Sequence, residues 1–125
     1  MMTGIVTAQR EAVLRLTLRD ANGQEHEYAS IVDTGYNGTL TLPPNEIALL
    51  GLRWHRFGHA LLADGGDSTF NVYKGVVLWD GQPVTITVDE MDADSLTGMS
   101  LMYGYELVLP VLDGATFTLQ RIANP

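Results

Sequence analysis

The sequence predicts a single all-β domain, a closed barrel or sandwich with one or two short helices, and three observations carry that expectation. Apolar and polar residues alternate strictly from Leu14 to Leu18, and alternate again from Pro83 to Val88 and over Thr116 to Ile122, the period-two signature of half-buried strands. Asn22-Gly23 is a strong hairpin signal between the first of these runs and the strand Glu25 to Val32. Short strands then follow one another between Gly and Asp turns, with no long helical pattern among them.

Each element follows in order. Ala12 to Leu18 is the first strand, Asn22-Gly23 turns it, and Glu25 to Val32 returns. Gly38 to Leu42 is a further strand that Pro43-Pro44 stops, after which Asn45 is expected to cap a helix over Glu46 to Leu50, with Gly51 as its C-terminal stop. Trp54 to Leu62 and Ser68 to Trp79 read as a long hairpin whose flexible tip is Ala63-Asp64-Gly65-Gly66-Asp67. Leu107 to Leu112 is apolar and strand-like. No repeat or low-complexity segment interrupts residues 1–125, which read as one domain.

Composition narrows the function. Seven basic residues against 15 acidic ones give a net charge of −8, which disfavours nucleic acid or an anionic membrane surface as the main partner. With no cysteine, disulfides, thiolate metal sites and a cysteine nucleophile are excluded. Neither a Gly-x-Ser-x-Gly elbow nor a phosphate-binding loop occurs, and no apolar run approaches a membrane span. A cytoplasmic protein is the expectation.

The stretch richest in chemistry is Ile31-Val32-Asp33-Thr34-Gly35-Tyr36-Asn37-Gly38, an apolar strand that runs into a carboxylate and a glycine turn. Gly35 and Gly38 are expected to adopt positive φ angles that send the chain back out, leaving Asp33 at a rigid, partly buried bend. Ile31 to Gly35 resembles the active-site loop of the aspartic proteases, an apolar pair followed by Asp-Thr-Gly. Leu96-Thr97-Gly98 resembles the second signature of that family, which packs beneath the catalytic loop and leads into a short helix that Met99 to Tyr103 can supply. Gly38 to Pro43 and Leu50-Gly51-Leu52 extend the likeness to small bacterial proteins of retroviral-protease type. The chain departs from the pattern at Thr97, where an aliphatic residue is usual, and at Tyr36, where larger members carry a small one.

The resemblance implies a single-lobe aspartic-protease barrel in which Asp33, Thr34 and Gly35 form the catalytic loop. Thr34 would hydrogen-bond across to a partner loop, and Gly35 would donate its N–H to the carboxylate. Ala63, Asp64, Gly65 and Gly66 lie where the family places its substrate-binding flap. Peptide hydrolysis by carboxylates needs a base for water and an acid for the carbonyl oxygen or leaving nitrogen, and one Asp33 cannot be both. Two carboxylates held close share a proton and supply both roles. A single Asp-Thr-Gly therefore implies a homodimer with the Asp33 pair at its twofold axis, acting on an extended peptide or protein without metal or other cofactor. The same fold also serves as a dimerisation or peptide-binding module that does not cut.

Other features read as structural. Asp89-Glu90-Met91-Asp92-Ala93-Asp94 lacks the central Gly and terminal Glu of a calcium loop and reads as a solvated acidic loop. His55 and His59 on an extended segment stand about 13 Å apart, too far for one metal. Tyr103, Tyr105, Met99 and Met102 are expected in packing, as are Trp54 and Trp79. Arg10, Arg15 and Arg19 read as a polar face.

Overall fold

The computed structural model describes residues 1–123. Ten strands and two short helices follow in order: β1 (Met2–Val6), β2 (Ala12–Arg19), β3 (Glu25–Val32), β4 (Leu40–Leu42), α1 (Pro44–Leu50), β5 (Arg53–Leu61), β6 (Asp67–Trp79), β7 (Gln82–Glu90), β8 (Leu96–Thr97), α2 (Met99–Met102), β9 (Tyr105–Val108) and β10 (Thr116–Arg121). All strands join one sheet in the order β5-β6-β7-β4-β8-β3-β2-β1-β10-β9. The sheet curls back on itself, for β6 also pairs with β2 through Thr17–Leu78, Leu18–Val77 and Arg19–Val76. The result is a mostly β molecule with a partial ring of strands. Among the described residues, no helix is long and apolar enough to cross a membrane.

Alternation decides the core. In β2, Leu14, Leu16 and Leu18 are buried while Arg15 faces water, as the period-two pattern requires. They pack with Leu40 and Leu42 of β4, Val77 of β6, Val88 of β7 and Phe117 of β10. Helix α1 adds Ile47 and Leu50 to this core. Arg15 and Arg19 reach across to Glu27 and Glu25 on β3, each at 3.6 Å.

Several sequence expectations require correction. Asn45 does not cap α1: the N-cap is Pro43 and Pro44 opens the helix, where the absent N–H leaves no donor unsatisfied. Gly51 does end it, with φ 64°. The strand expected over Leu107 to Leu112 is Tyr105–Val108, and Val111 and Leu112 are exposed beyond it. The strand expected from Gly38 begins only at Leu40. Trp54 and Tyr103 are exposed, whereas Trp79 is buried in edge-to-face contact with Tyr105. β1 gave no alternation signal. It forms by pairing with both β10 and β2, and the Phe117 ring occupies the space that a side chain at Gly4 would need.

Candidate active site: a braced aspartate loop

Strand β3 carries the chain to Asp33, and β4 leads away from the loop at Leu40. These two strands are not neighbours, because β8 lies between them, parallel to β3 and antiparallel to β4. The loop must therefore bridge two strand spacings, about 10 Å. Residues 95–100 hold it along that span. Ile31 N–H donates to the Ser95 carbonyl at 2.8 Å, Asp33 N–H to the Thr97 carbonyl at 2.9 Å, and Gly98 N–H to the Thr39 carbonyl at 3.0 Å. From α2, Met99 N–H donates to the Tyr36 carbonyl at 2.8 Å, and the Ser100 hydroxyl donates to the Asn37 carbonyl at 2.6 Å.

The Asp33 side chain turns back on its own loop, where Oδ1 accepts the Gly35 N–H at 2.8 Å. Asp33 is half-buried, while Thr34 and Gly35 are exposed. Thr34 borders a cavity of about 310 Å³ with Met99, Met102, Tyr103, Tyr105 and Leu107. The positive φ angles expected at Gly35 and Gly38 are not adopted. Gly38 is required for another reason, since a Cβ there would strike the Tyr36 ring. At Gly98, with φ −101°, a Cβ would run into the Gly38 carbonyl and the same ring. Two backbone segments, at Gly38 and at Gly98, thus meet around the Tyr36 ring with no room for a methyl group.

Thr97 occupies the place of an aliphatic residue without leaving a bare hydroxyl. It is fully buried, and its Oγ1 lies 2.7 Å from Ser30 Oγ, which in turn accepts the Ser95 hydroxyl at 2.9 Å. Thr41, also fully buried, accepts the Leu96 N–H at 2.8 Å. Sequence reading missed Ser30, Ser95 and Thr41. For Ser30 and Thr41 the signal is a polar residue at a buried strand position, which has to find a partner; Ser95 lies just before β8 and carries no such signal.

Tyr36 anchors the outer end of the loop. Its hydroxyl donates to Asp89 Oδ2 at 2.6 Å, and burial together with that carboxylate holds the phenol far above its ordinary range. Asp89 and Glu90 are therefore not part of a solvated loop. They end β7, and Glu90 accepts hydrogen bonds from Asn71 Nδ2 at 3.1 Å and the Tyr73 hydroxyl at 3.3 Å.

Ala63, Asp64, Gly65 and Gly66 lie at the tip of the β5–β6 hairpin. Leu62 N–H donates to the Gly66 carbonyl at 2.7 Å, Gly66 N–H to Asp64 Oδ1 at 2.8 Å, and Gly65 takes φ 84°. Among the described residues, none of their hydrogen bonds reaches the aspartate loop. The structure thus brings Asp33, Thr34 and Gly35 together with Leu96, Thr97 and Gly98, and keeps the hairpin tip as a separate unit. His55 and His59 both lie on β5, where His59 pairs with Asp67 at 3.1 Å. Among the described residues, no cluster of three His, Asp or Glu side chains offers a metal site.

What these features define is a carboxylate at a rigid bend, presented beside two exposed loop residues. Compared with known proteins, the chain matches no family model, no curated protein and no solved structure.

Proposed function

We propose that the protein is a homodimeric aspartic endopeptidase of retroviral-protease type, in which two copies of Asp33 meet at a twofold axis and activate a water. One observation carries this reading: Asp33 stands at the end of a strand whose loop is tied at both ends to residues 95–100, and its carboxylate accepts the Gly35 N–H. A base that must share a proton with its twin needs such a fixed position, because misplacement by an ångström weakens the shared-proton pair and the aim at the carbonyl. In this reading the curled sheet is the closed single-lobe barrel of that class, and Thr34, exposed beside the carboxylate, meets its counterpart across the axis. Residues 63–66 close over an extended peptide, and the enzyme is a cytoplasmic protein that uses no metal.

In this mechanism one carboxylate of the pair takes a proton from water while the other, protonated, gives its own to the peptide carbonyl oxygen. Water attacks the carbonyl carbon directly to give a tetrahedral diol, so no covalent acyl-enzyme forms. The carboxyl that took water's proton passes it to the amide nitrogen as the C–N bond breaks, and the other carboxylate takes a diol proton back as the carbonyl re-forms. The titration belongs to the pair and not to either copy.

A second reading is favoured by the same hydrogen bond. An Asp whose side chain accepts the N–H two residues on is also an ordinary turn device, so the loop can serve a dimerisation or peptide-binding module that does not cut. Sedimentation and peptide-library cleavage from mildly acidic to neutral pH, on the parent and on Asp33→Asn, separate the two. A dimeric parent that cuts, beside a dimeric Asp33→Asn protein that does not, is the expected result. A dimer that never cuts leaves the binding module, and a monomer overturns both.

A further inference from the structure

Strand β5 ends the strand order, so β6 pairs with one of its edges and, among the described residues, no strand neighbours the other. Eight of its nine residues are exposed, Gly58 being the exception. Natural sheets blunt such an edge with charge, because its free N–H and C=O groups are a template for another strand. Here charge is present, yet so are Trp54 at 48% exposure, Phe57 at 60% and Leu61 at 83%.

The strand is sorted by a bulge. In a regular strand, residues three apart point to opposite faces. Between Trp54 and Arg56 the register with β6 shifts: Arg53 stands opposite Lys74 and Trp54 opposite Tyr73, but Arg56 stands opposite Val72. Directly opposed residues share a face, as do residues 72 and 74 of β6. Arg53, Arg56 and Lys74 therefore lie on one face. Trp54 and Phe57 lie on the other, where their rings meet edge to face at 5.2 Å and Trp54 Nε1 donates to Asn71 Oδ1 at 3.0 Å. Without the extra residue, each face would mix a cation with an aromatic ring.

The three cations are also unmatched. Arg15 and Arg19 have carboxylates across the sheet, whereas among the described residues Arg53, Arg56 and Lys74 have none within ion-pair distance, in a chain of net charge −8. Arg56 Nη1 donates to the Phe57 carbonyl at 3.3 Å, which leaves its other N–H groups for a carboxylate.

We propose that the free edge of β5 takes up an extended acidic peptide as an added strand, one in which acidic and apolar residues alternate. The acidic side chains face Arg53, Arg56 and Lys74, the apolar ones lie beside Trp54 and Phe57, and backbone hydrogen bonds to β5 hold the register. This edge is separate from the aspartate loop, and the proposal holds whether or not Asp33 cuts.

The test is fluorescence anisotropy with the full chain and three short labelled peptides: one alternating Glu and Val, its isomer with the same residues in two blocks, and one alternating Lys and Val. Peptide integrity is checked by mass, and the set is repeated with Asp33→Asn so that cleavage cannot imitate weak binding. The alternating Glu peptide should bind roughly tenfold or more tighter than either control. Arg53→Glu/Arg56→Glu should reverse the preference toward the Lys peptide, and Phe57→Ser should weaken both. Because these side chains are exposed, the variants keep the core intact. Equal binding of the block isomer, indifference to charge reversal, or no saturation at about 1 mM peptide overturns the proposal. A change in the sedimentation of the peptide-free protein on charge reversal also overturns it, and assigns the edge to a second copy of this chain.

Discussion

The aspartate loop and the β5–β6 hairpin tip are both glycine turns with an acidic residue whose side chain accepts the N–H two residues on, Asp33 to Gly35 and Asp64 to Gly66. They nevertheless use glycine for opposite reasons. Around Asp33 the glycines have ordinary dihedral angles, and what matters is space: Gly38, Gly98 and the Tyr36 ring leave no room for a Cβ. At Gly65 in the tip space is open, since nothing lies within 4 Å of a Cβ there, and the positive φ is what matters. One turn is rigid because neighbours press on it. The other is held by hydrogen bonds among residues 62–66 themselves.

The strongest test of this contrast is Gly98→Ala. The added methyl meets a backbone carbonyl that is itself bound by Ser100 N–H at 3.1 Å, so relief requires moving the loop. A loss of about 3 kcal/mol or more is expected by urea denaturation, in the range of severe overpacking. If Asp33 acts as proposed, cleavage should fall with it. A smaller effect comes from Thr97→Val, which keeps the shape but strips Ser30 of a buried partner and should cost about 1 to 3 kcal/mol. Its value should drop when Ser30→Ala is added, because the orphaned group is then gone. Strict additivity of the two would show that the hydroxyls do not form one network.

Tyr36→Phe should cost about 1 to 2 kcal/mol at neutral pH, since Asp89 loses a short hydrogen bond while remaining half-buried. It also has a pH signature. The phenol is held protonated in the folded state, so its contribution is fully present below its ordinary value of 10.0 and is lost as pH rises toward the elevated folded value. Tyr28, pushed up to about 12 by burial and by Glu46, adds a slope of the same sign. The parent should therefore lose stability steadily above about pH 10, and Tyr36→Phe should lose it less steeply without becoming flat. Parallel curves for the two proteins would mean that the Tyr36 hydroxyl is not buried against Asp89.

Much of the sheet was legible because alternation and turn residues are local signals: β2, β7 and β10 run close to where their period-two patterns lie, and β3 follows the Asn22-Gly23 turn. The elements that escaped depend on partners distant in sequence. β1 exists because β2 and β10 flank it, and its Gly4 reflects the Phe117 ring. In the run from Leu107 to Leu112 apolar character alone was misleading, for only its first two residues pair with β10. At the loop, Asp33-Thr34-Gly35 and Leu96-Thr97-Gly98 stood out as motifs, and the structure brings the two segments into contact. Their bracing was hidden, because Ser30 and Thr97 are 67 positions apart and Tyr36 and Asp89 are 53 apart. No local pattern links a serine to a threonine at that distance.

The smallest effect is the sharpest discriminator between the two turns. Gly65→Ala places an L-residue at φ 84°, a strain of about 1 kcal/mol, with no clash to add to it. Asn tolerates this region better than other L-residues, because its side chain bonds the nearby backbone. Gly65→Asn should therefore recover most of the loss. The same exchange at Gly98 should recover nothing, because the obstacle there is the Gly38 carbonyl and any Cβ meets it. Gly65→Pro removes the N–H that bonds the Leu62 carbonyl at 3.0 Å and forbids the positive φ, so it should disorder the tip while leaving the core and the Asp33 bonds untouched. If residues 63–66 close over substrate, this variant should stay folded and dimeric yet raise KM severalfold. Unchanged turnover at low substrate would remove the hairpin from the proposed mechanism while leaving the aspartate pair in place.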